Sequence, residues 1–390
     1  MAAQAGGEGG MRIEQRIWTR EKGWTPEPGG GLAGKADLML VFGSGEAIRD
    51  RDLLGRAAAM YPGAQLFGCS TSGEISGQRV FDDSLAVTAV RFHKARIAGT
   101  LVHIAEAGDS RDVGQKLAQS LDKDGLKHVL VLSDGLHVNG TDLVNGLSGH
   151  LPKDVSITGG LAGDKDRFKE TLVIFGKEPR SHCVAALGLY SDSLKVGYGS
   201  MGGWNPFGPE RKITRSQGNV LYELDGRSAL ELYKSYLGKH AEGLPATALL
   251  FPLSLRLKGK MEAGLVRTVL AVDEEQQSMT FAGDVPQDAF ARFMKTNIDH
   301  LVDGSQGAAE LCRGSSATPP PELALLISCV GRKLVMKQRV EEEIEVVSEI
   351  FGPDTAITGF YSYGEISPFT GDGKCELHNQ TMTVTTLAEE

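Results

Sequence analysis

Three stretches of the chain repeat one pattern of apolar and polar positions. A short run that is apolar at nearly every residue comes first, then a Gly or polar turn and a segment apolar at helical spacing. A stop containing Pro follows, then a second apolar run and another Gly turn. The first copy has Leu38–Phe42, the turn Gly43-Ser44-Gly45 and a helix carrying Leu53, Leu54, Ala57 and Ala58. Tyr61-Pro62-Gly63 stops it, and Gln65–Phe67 leads into Gly68. The second has Val129–Leu132, Ser133-Asp134-Gly135, a helix with Leu143, Val144 and Leu147, the stop Pro152, and Val155–Thr158 before Gly159-Gly160. The third has Leu323–Ser328, Gly331, a helix with Val340, Ile344, Val347 and Phe351, the stop Gly352-Pro353, and Ala356–Thr358 before Gly359. Uninterrupted apolar runs bounded by turn residues predict strands covered on both faces, and the helical spacing supplies the cover. Each copy then reaches another β-rich run, at Leu85–Phe92, Thr171–Phe175 and Thr381–Leu387.

The region from about 180 to 300 departs from this plan. Val184–Tyr190 reads as a strand, and Asp225-Gly226 precedes a helix with Ala229, Leu230, Leu232, Tyr233, Tyr236 and Leu237, ended by Gly238. Leu265–Val272 and Met279–Ala282 predict a hairpin, and a longer helix is expected through Phe290, Phe293, Met294, Ile298 and Leu301. The class is therefore α/β to α+β: mixed sheets with covering helices, repeated β-α-β units and two domains. Residues 1–10 offer nothing to bury and read as disordered, Lys22–Lys35 reads as a lead-in loop, and Arg313–Pro321, ending in three prolines, reads as a surface linker.

Composition narrows the function classes. The length of 390 residues suits two domains, and 41% hydrophobic with 23% charged residues is ordinary globular composition. A net charge of −9 argues against a general nucleic-acid binder, which needs Lys and Arg for phosphates. No apolar run approaches the length of a membrane span, and no signal peptide opens the chain, so a soluble cytoplasmic protein is expected. Five cysteines without a C-x-x-C pair give no disulfide framework and no zinc motif.

The sharpest chemical feature is a near-duplicate. Gly68-Cys69-Ser70-Thr71-Ser72-Gly73-Glu74-Ile75-Ser76 and Gly359-Phe360-Tyr361-Ser362-Tyr363-Gly364-Glu365-Ile366-Ser367 occupy matching places in the first and third copies. Paired glycines after a buried strand allow a tight turn that gathers backbone N–H groups, which suits a carboxylate or phosphate. Glu74 and Glu365 are then placed to hold an ammonium group, and together the turns suit a zwitterion such as an amino acid. The other reading is structural, with both turns bonded to their own backbone. The second copy's Gly159-Gly160-Leu161-Ala162-Gly163-Asp164 lacks the Glu and reads as a degenerate turn.

Gly-Cys-Ser-Thr-Ser-Gly-Glu-Ile at 68–75 resembles the N-terminal half of the FIST domain. Gly-Asn-Val-Leu-Tyr-Glu-Leu-Asp-Gly at 218–226, Gly-Phe-Tyr-Ser-Tyr-Gly-Glu-Ile at 359–366 and Leu-His-Asn-Gln-Thr at 377–381 resemble its C-terminal half. The resemblance covers 37–387 and implies a FIST N-terminal domain over 37–217 and a C-terminal domain over 218–390, after a disordered or lead-in segment at 1–36. It implies an intracellular sensory domain for small ligands, with amino acids proposed, whose output passes through a separate partner. Some members are haem-containing nitric-oxide sensors acting on a histidine kinase, and others carry an F-box, for which no room remains outside the matched region.

The expected ligand-binding set is Gly68, Cys69, Ser70, Thr71, Glu74, Arg332, Tyr361, Tyr363, Glu365, His378 and Asn379. Arg332 suits a ligand anion, although a solvated surface role is the commoner one for such an Arg. His378 and Asn379 line the pocket in this reading, the alternative being that they fix the last strand against the Gly359 turn. Haem needs only one axial His and stays open, although no motif supports it. Cys69 after a strand keeps a thiol or acid–base enzyme in view, against the more usual buried structural cysteine. No catalytic or metal-ligating residue is assigned. Trp204-Asn205-Pro206 reads as a lid or an aromatic plug, and the acidic run Glu341–Glu345 as a solvated helix face.

Overall fold

The computed structural model describes residues 10–27, 29–257, 266–315, 320–368 and 374–390. The disorder expected at 1–9, the start of the hairpin at Leu265 and the centre of the linker at 316–319 lie outside these residues.

Each repeat builds a sheet around one parallel pair of strands. Leu38–Gly43 runs parallel to Gln65–Ser70, Leu126–Ser133 to Ser156–Leu161, and Leu323–Cys329 to Ala356–Ser362. On the other side of the leading strand lies an antiparallel one: Leu85–Arg91, Cys183–Tyr190 or Met382–Glu389. Beyond that comes a further antiparallel strand: Arg12–Thr19, Arg96–His103 or Leu194–Met201. The reading of 1–36 as disordered or lead-in needs correction here. Arg12–Thr19 is a full member of the first sheet, because Met11 and Ile13 bury in the inner core while its backbone pairs with Leu85–Arg91.

Strand period 2 explains the uninterrupted apolar runs. Leu38, Leu40 and Phe42, Leu130 and Leu132, and Leu323, Leu325 and Ile327 all turn into one core shared by the three sheets. Met39 and Val41, Val129 and Val131, and Ala324 and Leu326 face the other way, into three separate outer cores. Helix Arg51–Met60 covers the first, started by Asp50, whose carboxylate accepts from the Asp52 and Leu53 amides. Helix Gly140–Ser148 covers the second, capped in the same way by Asn139. In the third repeat the expected single helix is two, Val330–Met336 and Glu342–Phe351.

The sheets also exchange their edges. Glu74–Ser76, continuing from the first sheet, pairs antiparallel with Ala356–Ser362 of the third. Gly364–Pro368, continuing from the third, pairs with Ser156–Leu161 of the second. Val173–Phe175, continuing from the second, pairs with Gln65–Ser70 of the first. The run at Thr171–Phe175 therefore completes another repeat's sheet, and Cys183–Tyr190 takes the place in the second sheet that Leu85–Arg91 takes in the first.

A fourth sheet, between Asn205 and Lys295, has its own core around Tyr233, Phe281 and Phe293. The 217/218 boundary falls in the turn between its paired strands Asn205–Gln217 and Val220–Leu224. The helix expected from Phe290 to Leu301 is corrected to strand Phe290–Lys295 followed by helix Ile298–Ser315. Ala291 and Phe293 alternate into the core, and pairing with Leu253–Arg256 and Asn205–Gln217 outweighs the helical spacing. Trp204 is a plug: it packs on Met294, Leu301 and Met336 and donates its indole N–H to the Gln380 carbonyl.

Candidate functional site

The three Gly turns meet where the edges are exchanged. The Gly163 amide donates to the Ser70 carbonyl (3.0 Å), the Tyr363 amide to the Leu161 carbonyl (3.2 Å), and the Ser72 amide to the Tyr361 carbonyl (2.8 Å). Aligned on Gly68, Gly159 and Gly359, these are the same two positions in each turn, so three equivalent hydrogen bonds close a ring. The leading glycine is demanded by strand packing. A Cβ at Gly68, Gly159 or Gly359 would lie 1.9, 1.9 or 1.8 Å from the carbonyl oxygen of Val41, Val131 or Leu326. All three copies keep it, including the one that lacks the Glu.

Glu74 and Glu365 are enclosed and hydrogen-bonded in matching fashion. Glu74 accepts from the Thr71 hydroxyl and from the Ser84 amide and hydroxyl. Glu365 accepts from the Ser362 hydroxyl and from the Thr381 amide and hydroxyl. Burial pushes the Glu74 carboxyl up to about 7 and the Glu365 carboxyl up to about 8, against the pull of those donors. In the second turn Lys165 takes the Glu position and reaches outward to Asp83 (2.8 Å). Asp164 takes the place of Gly73 and accepts from the amides of Phe168, Lys169 and Glu170 and from the Tyr363 hydroxyl. Lys333 lies over Gly73 and donates to the Ser72 carbonyl and Asp82.

All eleven residues expected to bind a ligand are buried. Arg332, read as a ligand partner or a solvated side chain, is fully buried and pairs with Glu343 (2.8 Å). It also donates to Ser305 and the Leu301 carbonyl. Glu343 in turn accepts from Ser328 and from Tyr361, so the acidic run is corrected as well: one of its members is core. The signal was present, since Glu343 shares a helical stripe with Val347 and Phe351, and Arg332 shares one with Met336.

His378 donates its Nε2–H to the Ser367 carbonyl (3.0 Å), and burial lowers its imidazole to about 4. That enclosed, bonded nitrogen does not fit an axial haem ligand. Asn379 ties the Tyr363 carbonyl to the Thr268 amide. Gln380, at φ 65, lies against Gly331, where a Cβ would come within 2.4 Å of its amide. Cys69 faces the inner core, and burial pushes its thiol well above the ordinary range, so it stays protonated and poorly nucleophilic.

A surface cleft of about 830 Å³ is bounded by helix Arg51–Met60 and by strand Pro179–Arg180. It carries Arg49, Arg51 and Arg180 with Glu170 and Glu178, and Leu172 and His103 line it as well. Sequence reasoning missed these residues, because no local motif marks side chains gathered from three segments. The cleft is nonetheless wired to the turns. The Ser70 amide donates to the Leu172 carbonyl (2.8 Å), and the Leu172 amide donates to the Ser70 hydroxyl (2.9 Å). Glu170, through its amide, hangs on Asp164, which also takes the Tyr363 hydroxyl.

Comparison with known proteins gives a consistent family. The FIST N domain matches residues 37–227 and the FIST C domain matches residues 229–368. An uncharacterized protein of Methanocaldococcus jannaschii is 25% identical over 379 residues, covering 85% of this chain and 70% of that protein. Among solved structures, a chorismatase aligns over 98% of this chain and 99% of its own at 9% identity, with a TM-score of 0.37. A cyanuric acid hydrolase from A. caulinodans aligns over 97% and 99% at 10% identity, with a TM-score of 0.31. Likeness of that degree carries no argument about activity.

Proposed function

The chain belongs to the FIST family, and from that premise we propose that it is a sensory module for a small polar metabolite, an amino acid or a close analogue. Domains of this family are generally described as sensory and small-ligand-binding. The observation that carries the reading is the cleft at Arg51, Glu178 and Arg180, which offers both signs of charge to a zwitterion and rests on Leu172, hydrogen-bonded to the first turn. Guanidinium groups suit the ligand's carboxylate, and a carboxylate suits its ammonium. In this reading the buried turns relay the event. A ligand that shifts Leu172 or Glu170 presses on Ser70 and Asp164, hence on the ring.

Output then passes to a separate partner protein, a histidine kinase being one such class, from a cytoplasmic location. Among the described residues no helix is long and apolar enough to cross a membrane. The test is a thermal-shift screen of the standard amino acids at millimolar concentration. A true ligand at a hundred times its Kd stabilises by roughly 2.7 kcal/mol. Arg51→Ala with Arg180→Ala, both exposed, should abolish that shift without moving the melting point of the protein alone. If no amino acid raises the melting point, or the double variant responds as the parent does, the reading fails.

A further inference from the structure

Three neighbouring strands of the second sheet bring their chemistry to one corner. Leu126–Ser133, Cys183–Tyr190 and Arg96–His103 lie side by side, with Ser133 opposite Val184 and Cys183 opposite His103. Asp134 follows the first of these strands, His182 precedes the second, and His137 stands on the loop after Asp134. Asp134, His137 and His182 each offer a ligand atom, and these atoms lie within 4.8 Å of one another. The two imidazole rings are 4.3 Å apart between centroids, inclined at 58°.

The backbone is committed to this arrangement. His182 sits at φ 53, the left-handed region that few non-glycine residues enter, and its amide donates to Asp134 Oδ2 (3.3 Å). Asp134 Oδ1 accepts from the amides of Leu136 (2.8 Å) and His137 (2.7 Å) and lies 3.1 Å from His137 Nδ1. One carboxylate oxygen therefore fixes the loop. Oδ2 takes a single long hydrogen bond among the described residues and keeps a lone pair for another partner.

The geometry points to a binding site for a divalent first-row transition ion, held by Asp134 and by one imidazole nitrogen each of His137 and His182. Two imidazoles with a carboxylate favour zinc, cobalt, nickel or copper over calcium or magnesium, which take oxygen ligands. Bonds of roughly 2.0–2.2 Å put tetrahedral ligands roughly 3.4 Å apart, so the present spacing must contract. Asp134 is buried and fixed, whereas both histidines are exposed and close the distance by side-chain rotation. Three protein ligands leave a coordination position for water or a small anion. The corner adjoins the 830 Å³ cleft, which His103, Arg180 and Ser181 also line, yet it rests on separate residues and does not depend on the sensory reading.

The decisive experiment uses the tag-free full chain, stripped with a chelator. Cobalt(II) is titrated and followed by its visible absorption, and zinc is titrated by calorimetry. One ion per chain is expected, with His137→Ala and His182→Ala each weakening binding at least ~10-fold. Both variants should melt with the parent, since neither side chain is buried. Absence of saturable binding overturns the assignment and leaves Asp134 as a loop anchor alone. So does unchanged affinity in the folded His137→Ala/His182→Ala double variant.

Discussion

Glu365 and Glu74 are carboxyl groups enclosed by the fold and held there by hydroxyl and amide donors. Their raised values, about 8 and about 7, mean that the folded chain holds protons which the unfolded chain releases near 4.5. For an acid raised in this way, stability falls as pH rises from the unfolded value to the folded one, and levels off above it. His378 and His128 act in the opposite sense. Burial lowers them to about 4 and about 3, so stability gained from keeping them neutral grows as pH rises toward the ordinary 6.5. The two effects oppose each other up to pH 6.5, and above it only the carboxyls are still titrating. The melting temperature should therefore decline between pH 6.5 and 8, and Glu365→Gln should remove ~2 kcal/mol of that decline. A variant whose melting temperature falls as steeply as the parent's over that range would show that Glu365 is already ionised in the fold.

Among elements, the pairing of Arg332 with Glu343 holds three helices together. Arg332 stands on Val330–Met336, Glu343 on Glu342–Phe351, and the guanidinium also reaches the Leu301 carbonyl and Ser305 on Ile298–Ser315. Removing one partner leaves a buried charge unpaired, which costs about 3–5 kcal/mol. Glu343→Gln and Arg332→Met should each fall near that range in denaturant unfolding, and the double variant should cost clearly less than their sum. Additive losses would mean that the two groups do not depend on each other. This pair also marks where the sequence was hard to read. Strands buried on both faces advertise themselves as unbroken apolar runs, so all three parallel pairs were visible. Glu343 was hidden among Glu341, Glu342 and Glu345, and only its place on the stripe of Val347 and Phe351 gave it away. Phe290–Lys295 fitted helix and strand spacing alike, and cross-strand pairing, which no local window contains, settled the matter. Asp134 with His182, and Arg51 with Arg180, meet only after folding, so neither cluster could be legible beforehand.

At the scale of the molecule, the closed exchange of edges decides how the protein comes apart. Each of the three sheets lacks an edge until another repeat supplies it, and the inner core is common to all three. No repeat can leave without opening its neighbours, and the ring of amides at Ser72, Gly163 and Tyr363 lies where the three meet. Those three amides should therefore exchange with solvent only through one cooperative opening, with a single free energy equal to that of global unfolding. The fourth sheet has a separate core, so amides such as Leu221 and Phe281 are at liberty to follow another course. Tyr363→Phe provides the perturbation, because it removes a buried hydroxyl bonded to Asp164 and the Lys165 carbonyl while leaving the backbone intact. It should lower protection at all three ring amides by the same amount, on the order of 1–2 kcal/mol. Native-state hydrogen exchange resolved by residue can measure this directly. If Tyr363 alone lost protection while Ser72 and Gly163 kept theirs, the repeats would be opening one at a time. A ring that opens piecemeal could not carry a signal from the Leu172 side of the molecule to the Glu365 side.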